Sequence, residues 1–445
     1  MSDPLAALPP ETTDPERPGD DAGSNWSSTY SYGAAWLVEA TSIDEVKEAV
    51  AGSDRVRALG TRHSFNDIAD STGTLVTVTS IDPDPVLDVA ADGRSATVTV
   101  GAGTRYGVVA TFLETNGWAL HNMGSLPHIS VAGAISTGTH GSGHGNGALA
   151  TAVRALDVVG PTGELVRYER GDADFDGALV ALGTLGVVVR VTLDVQPSYR
   201  MRQDVYTGLS WDALLSDVDL VTGLAYSVSV FGHWGEDGLR VWAKSRVPEG
   251  ADTIEMPETV LDAILDPTST QTLAPGVEGN LTEQGGAVSA WLHRLPHFRL
   301  DSTPSNGDEI QSEFSVDRRD GAAALAAVRA LADRIDPLLV VTELRTAAAD
   351  GLWLSEFYER DALLLHFTWK NEPDAVLEAV REVQRALAPF AARPHWGKVF
   401  DEELVDFDAL YPRIADARAL ARRVDPDGTF HNSYLDRTLF QGDAR

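Results

Sequence analysis

Apolar and polar residues alternate along the first half of the chain with periods that differ between segments, and these periods predict its helices and strands. In the segment TSIDEVKEAV the apolar residues share one helical face, and Ser42 with Glu45 three residues later is typical of a capping box. The segment VLDVAADGRSATVTV has the pattern of a hairpin with Asp92-Gly93 at the turn. The segment YGVVATFLETNGW predicts a helix that ends at Gly117. Further strands are predicted in RVRALG, ALDVVG, GELVRYER and LGVVVRVTLDV.

The second half of the chain also contains segments with the period of a strand and segments with the period of a helix. The segments SEFSV, LLVVTELRT and ALLLHFTW predict strands, and GAAALAAVRALADRI predicts a helix. The segment NEPDAVLEAVREVQRALAPF predicts another helix with Asn371 as its N-cap. Its apolar stripe consists of Val376, Val380, Val383 and Leu387. Strands that alternate with helices favour a mixed sheet with helices on one face.

These elements divide the chain into four regions, because 445 residues are too many for one ordinary core. We expect an acidic, proline-rich, disordered tail at residues 1–24. An α+β domain at 25–197 and a second α+β domain at 198–412, with a mixed or antiparallel sheet, follow it. The segment 413–445 is too apolar for a free tail, so we expect it to pack back on the first domain.

Composition narrows the range of partners. The net charge is −31, from 35 basic and 66 acidic residues, and such a surface repels nucleic acid and anionic membranes. The chain has no cysteine, which excludes disulfides, thiolate metal sites and a cysteine nucleophile. We find neither a signal peptide nor an apolar run of the roughly 18 residues that a membrane span needs. The sequence therefore predicts a cytoplasmic protein, which we expect to be a monomer.

The segment TGTHGSGHGNG, from Thr137 to Gly147, is the least ordinary part of the sequence. His140 and His144 have the spacing of two zinc ligands on a helix, but the intervening glycines disfavour a helix and no nearby carboxylate offers a third ligand. We therefore predict no metal here. The bare backbone favours a nest of N–H groups for an anion such as a pyrophosphate, with an ordinary flexible loop as the alternative.

A second glycine-containing segment, TVTVGAGTRYG, joins a predicted strand to a predicted helix. The Rossmann fingerprint requires glycines at offsets 0, 2 and 5. Gly101, Gly103 and Gly107 lie at offsets 0, 2 and 6. The segment is therefore interpreted as a strand-to-helix turn.

Two predicted strands carry polar pairs inside apolar runs. Glu343 and Arg345 are two residues apart and share one strand face, as do His366 and Thr368. Unpaired charges would be costly at such positions, so the pairs predict one polar pocket floor. A structural ion pair and a satisfied core histidine are the alternatives, and Lys398 in HWGK is by itself typical of a surface lysine.

The segments NMGSLPHISVAGAISTGTHGSGHGNG and RALGTRHSFND together resemble the flavin-binding halves of the vanillyl-alcohol oxidase family. The later segments TELRT, LLLHFTW and RPHWGKVF resemble the alditol and xylitol oxidases within that family, and more distantly the sugar-lactone oxidases. The resemblance implies a two-subdomain FAD-binding domain of this family's type (PCMH) and an α+β substrate, or cap, domain.

The resemblance also implies which residues hold FAD. The histidine of a Gly-His-Ser motif is covalently linked to flavin in many members, and His63 has this place, although Thr61 and Arg62 precede it where glycine is common. Gly124 takes a position beside the flavin edge where oxygen reacts, and a glycine there favours an oxidase; turn geometry is the alternative reason for it. The other implied contacts are Gly60, Ser64, Ser125, Ser130, Gly133, Thr137, Gly138, Thr139, His140 and Val187.

On the substrate side, the resemblance implies a polyol site lined by Ser125, Glu343, Arg345, His366, Thr368 and Lys398. Lys398 and Arg345 would stabilise a developing alkoxide, and His366 is a candidate proton acceptor. The predicted activity is oxidation of the terminal hydroxyl of xylitol or sorbitol to the aldose, with reduction of O2 to H2O2. The alternatives are an aldonolactone oxidase and a flavoprotein without catalytic activity.

Overall fold

The computed structural model describes residues 22–81, 84–236, 238–267, 279–302 and 308–441. Most of the predicted tail lies outside the described residues. Its last three residues are ordered, because Ala22 is buried and Ser24 forms a β-bridge with Ser31. Order therefore begins at least three residues before the predicted start at residue 25.

The first part of the chain begins with a small parallel sheet in the order β1-β3-β2, with α1 packed beside it. The predicted cap of α1 is confirmed, since the Ser42 hydroxyl accepts the Glu45 N–H. The Glu45 carboxylate accepts the N–H of Thr41 at 2.7 Å, one residue before the position that a regular capping box uses. These elements are β1 (Trp36–Glu39), α1 (Ile43–Ala51), β2 (Val56–Leu59) and β3 (Thr74–Thr77).

A larger antiparallel sheet follows, in the order β4-β5-β9-β7-β8, with β6 paired to β9. The predicted hairpin is confirmed, with Gly93 at a φ of 64° in its turn. The strands are β4 (Val86–Val89), β5 (Ala96–Gly101), β6 (Trp118–Ala119), β7 (Val153–Val159), β8 (Leu165–Glu169) and β9 (Val187–Pro197). The helices are α2 (Tyr106–Thr115), α3 (Val131–Ser136) and α4 (Phe175–Ala178).

The second part of the chain is built on one large sheet whose described pairings are all antiparallel. Its order is β13-β14-β10-β12-β11-β17-β18-β16-β19, with β15 paired to β10. The strands are β10 (Arg200–Leu209), β11 (Ser227–Gly232), β12 (Leu239–Val247), β13 (Thr259–Val260), β14 (Ala263–Asp266), β15 (Ser289–Ala290), β16 (Glu309–Asp317), β17 (Leu339–Ala347), β18 (Ala362–Lys370) and β19 (Arg393–Pro394). The helices are α5 (Trp211–Ser216), α6 (Val218–Thr222), α7 (Gly321–Arg329), α8 (Ala332–Ile335) and α9 (Pro373–Leu387).

The helices of this part were predicted at the right positions, but two details of the predictions were wrong. The helix predicted in GAAALAAVRALADRI is divided into α7 and α8. The N-cap of α9 is Glu372 and not Asn371, because Pro373, with its fixed φ, occupies the first helical turn. The side chain of Asn371 instead donates to Asp308 at 2.8 Å. The apolar stripe of α9 is buried as predicted.

The two faces of this sheet have different partners. Phe367 and Trp369 of β18 stack on each other, with ring centroids 5.0 Å apart, and Trp234 stacks on Phe367 at 5.6 Å. Because side chains alternate along a strand, His366 and Thr368 lie on the opposite face. The aromatic face thus belongs to the core, and the polar face is free to line a site.

The last part of the chain returns to the first. Thr429 O accepts the N–H of Val56 at 2.8 Å, and the Asn432 amide donates to three carbonyls between Asp67 and Asp70. The buried Arg57 guanidinium donates to Phe430 O at 2.9 Å and to carbonyls of the first part. The helices here are α10 (Phe407–Leu410), α11 (Ile414–Val424) and α12 (Ser433–Arg437).

Candidate active site

One cavity lies between the first part of the chain and the polar face of the large sheet. Both sets of residues that the sequence predicted, for flavin and for substrate, contribute to its wall. Those that line it are Gly60, Thr61, Arg62, His63, Ser64, Gly124, Ser125, Ser130, Gly133, Thr137, Thr139, His140, Glu343, Arg345, His366, Thr368 and Lys398. The cavity therefore places the two predicted half-sites next to each other.

Two of the predicted flavin contacts, Gly138 and Val187, do not line the cavity. Val187 begins β9 and is fully buried, whereas its neighbours Gly186 and Val188 line the cavity. Gly138 has a φ of 76°, so it turns the chain between two threonines that do line the cavity.

His63 is a neutral imidazole in the cavity wall. Burial lowers the pKa of His63 to about 3, and its Nε2 atom is buried without a hydrogen-bond partner. The ring stacks on Trp26 at 5.4 Å, and Nδ1 lies 3.1 Å from the Thr61 hydroxyl. A neutral ring keeps a lone pair on one nitrogen, which is what bonding to an electrophilic carbon requires.

The residues before His63 hold the loop in place. Arg62 has a φ of 61°, and its guanidinium donates to the carbonyls of Ala22 and Ser24. The Thr61 hydroxyl accepts the N–H of Ser130 at 3.0 Å, which ties the His63 loop to the start of α3. The side chains that replace glycine here are thus part of the wall and do not displace His63 from it.

Glycines around Ser130 leave room that side chains would fill. A Cβ on Gly60 would lie 2.6 Å from the Ser130 hydroxyl, and one on Gly133 would lie 2.8 Å from it. The backbone therefore approaches this hydroxyl closely from two sides. Small residues, hydroxyl groups and the unpartnered nitrogen of His63 fit a large polar cofactor such as FAD.

Gly124 differs from these glycines because space remains beside it. A Cβ built there would meet its nearest neighbours at 3.7 Å, which is ordinary contact, and its φ lies outside the left-handed region. Turn geometry therefore does not require a glycine at this position. A glycine keeps the cavity open next to Ser125.

Gly141, Gly143 and Gly147 of TGTHGSGHGNG approach protein and not the cavity, whereas Gly145 has open space beside it. A Cβ on Gly141 would lie 2.4 Å from Met123 O, and one on Gly143 would lie 2.3 Å from Tyr226 O. His144 Nε2 lies 2.9 Å from the Thr222 hydroxyl. The bare backbone of this segment thus serves close packing of the two parts of the chain as well as the cavity wall.

The opposite wall is a row of side chains across three neighbouring strands. Glu313 on β16 is directly opposite His366 on β18, and Glu343 on β17 is directly opposite His366 on its other side. Directly opposed residues of antiparallel strands point to the same face. The register therefore places one imidazole between two carboxylates.

Glu313 was not predicted from the sequence, and it contacts three groups of the cavity. Its oxygens lie 2.8 Å from His366 Nδ1, 2.8 Å from His140 Nε2, and 3.0 and 3.1 Å from Arg345 Nη2. Although burial opposes ionisation, Arg345 and His140 hold the pKa of Glu313 well below its usual range. Glu313 is therefore an anion that fixes these three side chains.

Glu343 is held by a second chain of contacts. His297 Nε2 lies 2.8 Å from its Oε1, and the buried Lys244 ammonium donates to His297 Nδ1 at 2.8 Å. Although burial opposes ionisation, Arg345 and His297 hold the pKa of Glu343 well below its usual range. The structural ion pair of Glu343 and Arg345, which was the alternative interpretation of the sequence, is loose at 3.6 Å, because Arg345 pairs mainly with Glu313.

Lys398 is not a solvated surface lysine. Its ammonium donates to Gln311 and lies 5.0 Å from the centroid of the Phe65 ring. Burial lowers the pKa of Lys398 to about 8. The backbone of its turn is fixed to the His63 loop, since the Asn66 amide donates to Lys398 O at 2.8 Å. Lys398 is thus a cation at neutral pH that lies in the cavity wall.

His140 is bound to protein on both sides of its ring, at 2.8 Å from Gly141 O and 2.8 Å from Glu313. Among the described residues, His140, Glu356 and His395 bring possible metal-ligand atoms within 4.8 Å of one another. A metal would have to displace one of the His140 hydrogen bonds. Burial also raises the pKa of Glu356 well above its usual range, and a neutral carboxyl group is a poor ligand.

In the part of the chain that the structure describes, no helix combines the length and the apolar character needed to cross a bilayer.

Two family models match the chain. Residues 34–169 match the FAD binding domain, and residues 305–438 match the D-arabinono-1,4-lactone oxidase model. The first match covers the part of the chain that carries His63 and Ser130. The second covers the polar row of the large sheet and Lys398.

Curated relatives and a solved structure match nearly the whole chain. It is 41% identical to an alditol oxidase from a Streptomyces species, over 95% of this chain and 99% of the relative. It is 28% identical to an L-gulono-1,4-lactone dehydrogenase from Mycobacterium tuberculosis, over 94% of this chain and 98% of the relative. Its fold matches a cholesterol oxidase from B. sterolicum with a TM-score of 0.75 at 17% identity, over 97% of this chain and 100% of the other. This match confirms the predicted fold.

Proposed function

The chain belongs to the vanillyl-alcohol oxidase-type family of FAD-linked oxidases, and on that premise we propose that it is an alditol oxidase. Its reaction is the oxidation of the terminal hydroxyl of a polyol such as xylitol or sorbitol to the aldose, with reduction of O2 to H2O2. The observation that carries the proposal is the shared cavity, because polar side chains of the large sheet and the small residues proposed to hold FAD line the same space.

FAD is the cofactor, and when bound it supplies the two-electron oxidising chemistry. The residues proposed to hold it are those of the His63 loop and the small residues from Gly124 to His140 that line the cavity. The neutral ring of His63 supports a covalent bond to the flavin.

Lys398 and Arg345 are proposed to act on the reacting hydroxyl. The alcohol oxygen gains negative charge as it loses its proton, and cations placed beforehand stabilise that charge without reorganising. Arg345 is oriented by Glu313, and its Nη1 atom lies 3.4 Å from the Ser125 hydroxyl. Lys398 is held by Gln311. Both cations are thus fixed before substrate binds.

The other hydroxyls of the polyol would be held by acceptors and donors of the same wall. Glu343 is an ionised carboxylate and accepts hydrogen bonds only. Ser125, His366 and Thr368 offer groups that donate or accept. A site built to satisfy many hydroxyls rejects analogues that lack them, because its buried polar groups are then left unpaired.

The activity is tested by mixing the purified holoenzyme with xylitol under anaerobic conditions and following flavin absorbance. Bleaching followed by recovery of colour and formation of H2O2 on admitting O2 is the expected result. Sorbitol, mannitol and glycerol complete the polyol panel. A yellow protein that no member of the panel bleaches would be a flavoprotein without this activity.

A sugar-lactone oxidase is the second candidate, because the D-arabinono-1,4-lactone oxidase model matches residues 305–438. Bleaching by a sugar 1,4-lactone but by no alditol would establish it in place of the first proposal.

The covalent bond to FAD is tested by acid precipitation. The yellow colour is expected to stay with the precipitated protein, and to be released in His63→Ala. Colour released from the unaltered protein would contradict the bond and leave the oxidase proposal intact.

The proposal includes a monomeric enzyme in the cytoplasm. A net charge of −31 opposes self-association at low salt and supports the monomer. Light scattering is expected to give a protein mass near 47.6 kDa, and cell fractionation tests the location.

A further inference from the structure

The hydrogen bonds around His366 determine which of its ring nitrogens carries a proton. Nδ1 lies 2.8 Å from Glu313 Oε2, and Nε2 lies 3.3 Å from the Thr368 hydroxyl in the cavity. If Glu313 is ionised, it accepts hydrogen bonds only, so His366 Nδ1 must carry the hydrogen. The Nε2 lone pair of the neutral ring then faces the cavity.

The charge of Glu313 follows from its other two partners. Arg345 donates to both of its oxygens. His140 Nδ1 donates to Gly141 O, because a carbonyl oxygen only accepts. One hydrogen then lies between His140 Nε2 and Glu313. On nitrogen it makes His140 an imidazolium, and on oxygen it makes Glu313 a carboxylic acid. The guanidinium favours the ionised carboxylate. Glu313 is thus an ionised carboxylate that pairs with the Arg345 guanidinium.

We propose that Glu313 is a positioning residue that makes His366 the acceptor of the alcohol proton. The inference rests on the proposed function and assigns a step that the function alone leaves open. The O–H bond of the substrate breaks, its electron pair stays on oxygen, and the proton forms a bond to His366 Nε2. The carbon-bound hydrogen and its electron pair go to the oxidant that the proposed function supplies.

The other groups that face His366 are less suited to accept this proton. On β17, Arg345 is a permanent cation, and Glu343 is a weak base because its pKa lies well below the usual range. Lys398, with a pKa of about 8, is mostly protonated at pH 7 and donates. On β16, Glu313 has its oxygens occupied by donors. Burial lowers the pKa of His366 and keeps its ring neutral, while Glu313 stabilises the imidazolium that forms.

The first test measures the tautomer of His366 in the substrate-free holoenzyme by nitrogen-15 NMR of the histidine rings. The His366 signal is identified by its loss in His366→Gln. The expected result is a hydrogen on Nδ1. A hydrogen on Nε2 in the unaltered protein overturns the inference, whatever the substrate of the enzyme proves to be.

The second test uses Glu313→Gln, with Glu356→Gln as its matched control. The amide that Glu313→Gln introduces has only one oxygen, which is needed by the donors Arg345 and His140. Its NH2 group therefore faces His366 Nδ1 and donates to it. The ring hydrogen of His366 then moves to Nε2. Glu356 is also a buried carboxyl group, but the hydrogen bond of its side chain is with the Trp396 N–H and not with His366 or Arg345. We expect the tautomer to change only in Glu313→Gln.

The rate of anaerobic flavin reduction by xylitol is the readout that includes substrate. We expect Glu313→Gln to slow it about 100-fold, the lower range for loss of a general base, and Glu356→Gln to leave it unchanged. An unchanged tautomer or an equal loss in both variants overturns the inference. If Glu313→Gln does not fold, Glu313→Asp is used, which keeps the charge but is too short to hold all three partners.

The two proposals fail in different ways. If no polyol bleaches the unaltered protein, the proposed function fails, and the tautomer then decides only whether Glu313 orients His366. If polyols bleach it but the tautomer is wrong, the function stands and the assignment of Glu313 fails.

Discussion

Two neighbouring buried carboxyl groups, Glu313 and Glu356, show how the surroundings of a residue determine its charge. Glu313 is held ionised by Arg345 and His140 despite its burial. Glu356 has only the Trp396 N–H on one oxygen, at 3.3 Å, and its other oxygen has no partner. Burial and repulsion by Glu313 therefore raise the pKa of Glu356 well above its usual range.

The raised pKa predicts that Glu356→Gln stabilises the protein at neutral pH. Above its unfolded pKa, near 4.5, the unfolded chain has lost the Glu356 proton while the folded protein keeps it, so stability falls as pH rises toward the folded pKa. The variant has no carboxyl group to ionise at this position, so its stability does not fall in this way. The difference in free energy of unfolding between the variant and the unaltered protein should grow by up to ~1.4 kcal/mol per pH unit. Urea unfolding midpoints of both proteins at pH 5 and pH 7 measure it, and an advantage that does not grow with pH would contradict the argument.

Gly124 gives a second prediction at a single residue. Gly124→Ala fits without strain, because the added Cβ has no neighbour closer than 3.7 Å, but it fills space in the cavity. If that space serves oxygen, we expect reoxidation of the reduced flavin by O2 to slow about tenfold or more, which is ~1.4 kcal/mol of barrier. Reduction by xylitol under anaerobic conditions is the internal control and should change little. Equal slowing of both half-reactions would indicate a general distortion instead.

At the scale of elements, the site is a consequence of strand register. The polar pairs on β17 and β18 were predictable, because polar residues two apart in apolar strands need partners on one face. Glu313 was missed although the same argument applies to it, since the segment SEFSV was interpreted only as a strand and its polar residue was not related to the other two strands. Only the pairing with β18, which joins distant segments, places Glu313 beside His366. His297 and Lys244 were missed because their contacts with each other and with Glu343 also join distant segments.

The glycine-rich segment allows a matched test within one element. Gly143 has a φ of 131°, and a Cβ there would lie 2.3 Å from Tyr226 O, whereas a Cβ on Gly145 would meet nothing within 4 Å. We expect Gly143→Ala to destabilise the protein by more than ~3 kcal/mol and Gly145→Ala to change stability by less than ~1 kcal/mol. Thermal unfolding of both variants measures this. Similar behaviour of the two would show that the close approach to Tyr226 is not needed.

For the whole molecule, the sequence predicted strands and helices before Arg200 and after Ala290 from local periodicity, but none of β10–β15, α5 and α6 between them. The sequence did not reveal that Arg57 joins the last part of the chain to the first. The Arg57 guanidinium donates to the carbonyls of Ile68, Leu182, Gly183 and Phe430. These acceptors are distant in sequence and have no side-chain pattern, so no motif marks them.

The role of Arg57 predicts a large effect of its removal. Arg57→Met would remove a donor from four carbonyls, of which that of Ile68 keeps the Asn432 amide as a donor. We expect a loss of more than ~4 kcal/mol and weaker protection of residues 413–441 against proteases. Arg55→Met is the matched control, because Arg55 also donates to carbonyls near Gly428 but is exposed. Limited proteolysis and thermal unfolding compare the two. Equal sensitivity of both variants would show that the buried guanidinium does not hold the segment.

The contact between Arg57 and Phe430 can form only late in the synthesis of the chain. The two residues are 373 positions apart, so at ~5–20 residues per second a ribosome needs about 20–75 s to make the second after the first. During that interval the first sheet lacks the strand-end partner of Val56, and the cavity lacks Lys398. The Arg57 side chain and the Val56 strand end therefore reach their final hydrogen bonds only after residues 429 and 430 have been made.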